Sequence, residues 1–201
     1  MDALQAIKKH QTALGACRLC PDMTGPVVMG RPVVSPVMLI GQAPGSVEGP
    51  AGKPFAWTAG KTLFKWFAGI GLSEEAFRHR VYMAAVCRCY PGKSPKGGDR
   101  VPSPQEVVNC GRWMDAELKI LRPRLVLPVG KLAIHRFLDF TRLKDVVGEV
   151  HRVPYLPGVD VIPLPHPSGA STWHRTPPGR ELLAQALERI AEHPAWLEIR
   201  G

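Results

Sequence analysis

No apolar run in the sequence approaches the roughly 18 residues that a membrane span requires, so a helical integral membrane protein is excluded. Residues 1–11 hold no apolar core of the kind a secretory leader carries, and the expected location is the cytoplasm. Acidic side chains are scarce. Asp and Glu number 17 against 26 Lys and Arg, a formal charge of +9 that favours a polyanionic partner, nucleic acid first. Cysteine is sparse, at five, and in a cytoplasmic setting these are reduced thiols or metal ligands rather than a disulfide framework. What is plentiful is apolar: a 45% hydrophobic fraction against 21% charged excludes a disordered chain, and 201 residues suffice for one well-cored domain. The 20 Gly and 21 Pro imply many sharp turns around that core.

Short apolar runs at 37–40, 81–86, 125–129 and 159–163 read as strands. Between and around them, amphipathic patterns predict helices over 2–16, 61–70, 131–138 and 180–192. Ser73 is an N-cap for a short helix. Ser103-Pro104-Gln105-Glu106 combines a Ser cap, Pro at the first helical position and Glu closing a capping box, and starts a helix to about 121. Strands alternating with helices predict an α/β three-layer sandwich, with a mostly parallel central sheet of about four strands flanked by helices. Two long Gly- and Pro-rich loops, 41–60 and 165–178, follow strands, which is where open α/β sheets place their sites.

Cys17 and Cys20 form a CxxC in a Pro-terminated polar segment, and Cys87, Cys89 and Cys110 follow far downstream. Four thiolates in two separated groups suit a structural Zn²⁺ or a [4Fe–4S] cluster; inert buried thiols are the plainer alternative. Five cysteines for four positions leave one spare, Cys87 or Cys89.

The first loop carries Gly41-Gln42-Ala43-Pro44-Gly45, then Gly52-Lys53-Pro54-Phe55 and Ala59-Gly60-Lys61; the second carries His166-Pro167-Ser168-Gly169. Taken in this order with the cysteines, these segments resemble the uracil-DNA glycosylase superfamily, closest to the iron–sulfur (family 4) type. The resemblance runs from Cys17 to the closing helix and implies one domain over 1–201. It implies a DNA glycosylase that flips uracil, with deaminated purines as a wider range, out of DNA and hydrolyses the N-glycosidic bond, leaving an abasic site. It places His166 and Gln42 in catalysis, with Gly41, Ala43, Phe55, Ala85 and Ser168 around the base. It makes Cys17, Cys20, Cys89 and Cys110 the ligands of a [4Fe–4S] cluster and Cys87 the spare, with zinc as the lesser choice. The implied partner is damaged DNA, met by a monomer with no membrane.

Two residues depart from the family pattern. Gln42 stands where the family has a Glu thought to position or activate water, and Ala85 stands where an Asn reads the uracil edge. These departures keep a second reading open: a catalytically weak module of the same fold that binds damaged DNA. For DNA contact the candidates are Gly169, Trp173 and Arg175 in the second loop, as wedge and phosphate grip, and Lys61 at the start of a helix. Ordinary packing of Phe55 and Trp173, and a solvated face for Lys61, are the bland alternatives.

Overall fold

In the computed structural model, which describes residues 2–95 and 97–201, the strands are β1 (Val37–Gly41), β2 (Tyr82–Ala85), β3 (Leu125–Pro128), β4 (His151–Arg152) and β5 (Asp160–Val161). The α-helices are α1 (Ala3–Gly15), α2 (Glu48–Ala51), α3 (Thr58–Ala68), α4 (Glu74–Arg80), α5 (Pro104–Leu121), α6 (Lys131–His135), α7 (Gly179–Glu192) and α8 (Pro194–Arg200). The strands form one sheet in the order β2-β1-β3-β5-β4, parallel except for the antiparallel β4–β5 pair.

The central strands are apolar on both faces, and alternate residues feed two cores. Val37, Leu39, Met83, Leu125 and Leu127 face a layer built from α3, α4, α7 and α8, where Trp196 and Phe67 are fully buried. Met38, Ile40, Tyr82, Ala84 and Val126 face α1 and α5 through Ile7, Cys110, Met114 and Leu118. This is the three-layer arrangement that the sequence pattern predicts, with one strand more. β4 is two residues long at the sheet edge, and residues 150–152 are half-buried or exposed, so no apolar run announces it.

The helix starts follow their caps. Asp2 accepts from Gln5 N–H at 2.8 Å, Ser73 caps α4, and the Ser103–Glu106 capping box is complete. α3 begins at Thr58, three residues before the sequence reading, α6 ends at His135 rather than 138, and the loop 41–60 contains the single turn α2. α8 is capped by His193, whose Nδ1 accepts from Ala195 N–H at 3.1 Å.

Candidate active site

β1 and β3 are neighbours, yet β1 connects onward to β2 on its other side. A crevice therefore opens beyond their C-terminal ends, and the loops leaving β1, β2 and β3 meet there with the chain that follows β5. A cleft of about 730 Å³ occupies this position. Gly41, Gln42, Ala43, Phe55, Ala85, His166 and Ser168, the seven residues assigned to catalysis and base binding, all line it.

His166 is held by its own loop. Its Nδ1 accepts from Ser168 N–H at 3.2 Å, which requires Nδ1 to be unprotonated and so leaves the ring proton of the neutral imidazole on Nε2. Burial lowers its pKa below 6.5, and the nearby His174 lowers it further. The ring is thus a neutral hydrogen-bond donor at physiological pH.

Gln42 is fixed from the opposite side. Its Oε1 accepts from Leu132 N–H at 3.1 Å, at the start of α6. A backbone donor can only meet the carbonyl end of the amide, so the NH₂ end remains as a donor. Gln42 and His166 both press on Gly130, whose φ is +85°; a Cβ there would stand 3.0 Å from an atom of each.

Phe55 occupies a left-handed backbone conformation, φ 53°. Three contacts hold it. Arg78 donates to the carbonyls of Pro54 and Phe55 at 2.9 and 3.0 Å while lying over the Phe64 ring, 4.5 Å from its centre. Gly60 leaves room for the Phe55 carbonyl, which a Cβ would meet at 1.9 Å. The ring edge rests on Gly41, where a Cβ would come within 3.0 Å. At the mouth, Glu48 accepts from Gly45 N–H and closes the 41–45 turn, and Asp99 accepts from Tyr90 and Lys93 at 3.0 and 2.8 Å.

The four residues assigned to DNA contact lie outside the lining of the cleft. Gly169, Arg175 and Lys61 are exposed. Trp173 is half-buried on the core, with its ring against Gly179 of α7. Sequence reasoning passed over Trp57, Arg78, Arg88, Glu117 and Gly130. Glu117 carried a signal, since it falls in the apolar stripe of α5 beside Met114, Leu118 and Leu121.

A second cavity, about 470 Å³, lies on the α1–α5 side, and Cys17, Cys20, Cys89 and Cys110 all line it together with Arg88. Cys87 is buried outside it. Among the described residues, no three His, Cys, Asp or Glu converge into a ready metal-binding group; the four cysteines line the cavity wall instead. Burial and then the neighbouring thiols push the Cys89 thiol up to about 11, and Cys20 is raised for the same reasons. Cys110 is lowered to about 6, chiefly by a hydrogen bond from the Cys87 thiol, aided by the Arg88 backbone N–H. The crowding that raises Cys20 and Cys89 is what a bound cationic centre would relieve.

Arg88 lines this second cavity and donates to the carbonyl of Ala85, which lines the first. Its guanidinium is buried and paired with Glu117 of α5, one bond measuring 2.9 Å, and Tyr82 donates to the same carboxylate at 2.7 Å.

A cleft at the ends of parallel strands, with an aromatic face and two fixed donors opposite, is a site for a planar, carbonyl-bearing ligand. The chain matches the family described as the uracil DNA glycosylase superfamily over residues 28–191, and it belongs to that family. It is similar to a type-4 uracil-DNA glycosylase of Archaeoglobus fulgidus, 30% identical over 198 residues (96% of this chain, 94% of the relative). A type-4 enzyme of Thermotoga maritima is 26% identical over 167 residues (83% and 82%), and a type-5 enzyme of Pyrobaculum aerophilum 30% over 181 (81% and 76%). Among the described residues, no helix is long and apolar enough to cross a membrane.

Proposed function

We propose that this chain is a monofunctional DNA glycosylase, folded as one domain, that extrudes uracil from DNA and hydrolyses its N-glycosidic bond. The observation that carries this reading is that His166, locked as a neutral Nε2–H donor, and Phe55 line one cleft roomy enough for an extruded base. A base must leave the stack to reach such a cleft, and Phe55 supplies the face it stacks on.

As the bond between C1′ and the base nitrogen breaks, its electron pair moves onto the base and positive charge is left on the sugar. His166 Nε2–H meets the charge gathering on the base carbonyl oxygen, with the NH₂ of Gln42, whose side chain crowds the same Gly130, as a second donor. Water then adds its oxygen to C1′ and keeps one proton as the new hydroxyl; its other proton goes to solvent, and the departing base anion takes up one proton from solvent in return. The sugar cation is reactive enough that no strong base is needed, which suits a site where an amide replaces a carboxylate. The DNA phosphates offset the cation's charge.

The base range follows from Ala85. It ends β2 in the cleft and offers only a methyl group, so base recognition falls to backbone groups and the donors opposite. Such a pocket accepts hypoxanthine and xanthine besides uracil. The cavity lined by Cys17, Cys20, Cys89 and Cys110 suits a [4Fe–4S] cluster, whose bulk matches sulfurs set around a cavity better than a single Zn²⁺ with four sulfurs at about 2.3 Å. When bound, that group serves as a cross-link among three distant segments.

A panel of oligonucleotides bearing uracil, hypoxanthine, xanthine or a thymine mispair, assayed for free base, tests the reading. Release of uracil and at least one deaminated purine supports it. Tight binding of damaged DNA without release of any base supports the binding-module alternative.

A further inference from the structure

Of the five tryptophans, four are used by the fold. Trp196 is fully buried, Trp66 and Trp173 pack on one core, and Trp113 packs on the other. Trp57 belongs to neither core, is 58% exposed, and stands on the wall of the active cleft two residues after Phe55. Val47 and Val101 on the same wall are also exposed, so part of the rim is apolar.

The segment that presents Trp57 is rigid. Arg78 holds the carbonyls of Pro54 and Phe55, and α3 begins at the next residue, with Lys61 N–H donating to the Trp57 carbonyl at 3.2 Å. Lys61 is therefore one helical turn beyond the indole, and Lys53 lies on its other side in sequence; both are exposed. An exposed indole with an exposed lysine on either side of it in the chain fits a nucleic-acid strand, whose bases stack while its phosphates meet the lysines.

Resting on the glycosylase reading above, we propose that Trp57 stacks on the nucleobase adjacent to the flipped nucleotide and so positions the DNA strand across the rim of the site. Extrusion leaves that neighbour with one face unstacked. A fixed indole beside the cleft replaces the lost partner, and every base has a face to offer, so this contact is tolerant of sequence.

The test is a binding cycle on single-stranded oligonucleotides whose target is a 2′-fluorinated deoxyuridine, which resists cleavage. The base on the 5′ or 3′ side of the target is either present or replaced by an abasic spacer. Trp57→Ala weakens binding about tenfold, within the range one base–aromatic stack supplies. Removing the flanking base on one side weakens the wild-type protein by a similar factor and Trp57→Ala no further. Trp57→Phe stays within about threefold of wild type. Trp57→Ala within twofold of wild type, or losses that multiply when both partners are removed, overturns the proposal. Should Trp57→Ala not fold, a wild-type affinity indifferent to both flanking bases overturns it equally. Failure of the wild type to release uracil from an ordinary oligonucleotide sinks the glycosylase reading instead, and leaves the binding cycle to decide on Trp57.

Discussion

Arg88 Nε donates to the carbonyl of Ala85 at 2.7 Å, so the residue between two cysteines holds the end of the strand that walls the active cleft. The same guanidinium is buried against Glu117, and the pair ties α5 to the segment after β2. Removing one charge strands the other. Glu117→Gln should cost about 3–5 kcal/mol, read as a lower midpoint in urea unfolding, while a double replacement by apolar residues of similar volume should recover much of it. Burial opposes ionisation of Glu117, but the Arg88 charge and its hydrogen bonds outweigh it and hold the carboxyl at about 2, below its ordinary 4.5. The pair's contribution is therefore complete above pH 4.5 and lost as pH falls from there through about 2.

The cysteine assignment predicts a visible difference. Cys17→Ala and Cys110→Ala should give colourless, poorly soluble protein, because each removes a ligand from a link between α1 and α5. Cys89→Ser should lose the broad visible absorption of an iron–sulfur centre and Cys87→Ser should keep it, since Cys87 lies outside the cavity. The reverse pattern of colour would exchange their roles.

For His166, replacement by Ala should lower the single-turnover rate of uracil release by about 10²–10³, the usual loss for one preorganised donor. The pH profile carries the sign of its shift. Its folded pKa lies below the ordinary 6.5, so activity should stay flat as pH falls past 6.5 and drop only at more acid pH, where Nδ1 takes a proton and loses the Ser168 N–H. The stability linked to this group is complete above 6.5 and is lost as pH falls through the depressed folded value. A rate that halves near 6.5 would contradict a buried neutral imidazole.

Ala85→Asn should narrow the base range. An amide at the end of β2 adds a reader for the uracil edge and removes room for a purine, so hypoxanthine release should fall at least tenfold relative to uracil release in competition assays. An unchanged ratio would mean that Ala85 does not face the base.

Much of this architecture is legible in the sequence because it rests on local rules. Apolar runs mark β1, β2, β3 and β5, and the caps at Ser73 and Ser103 fix two helix starts to the residue. The seven cleft residues are legible through the family resemblance; five sit in the loops after β1 and β5, Gly41 and Ala85 end β1 and β2, and the parallel run of these strands brings all of them to one end of the sheet. What stayed hidden depends on long-range contact. β4 is too short and too exposed to show a pattern. Arg78 acts on carbonyls 23 and 24 residues away, and Arg88 finds its counter-charge 29 residues on, relationships that no window of sequence contains. Trp57 lies in the Gly- and Pro-rich stretch between two motif segments, and only the folded cleft shows that it stands exposed on the wall.

Gly130 imposes a different kind of constraint. It leaves β3 with φ +85° and has the side chains of Gln42 and His166 on it, one from each motif loop. A Cβ at this position would stand 3.0 Å from an atom of each, so both side chains crowd the same glycine. Any larger residue there would push both donors apart at once, besides forcing an unfavourable backbone. Redesign of this enzyme for another leaving base has to begin at the strand end beneath the motifs, where the tolerance of the whole assembly is set.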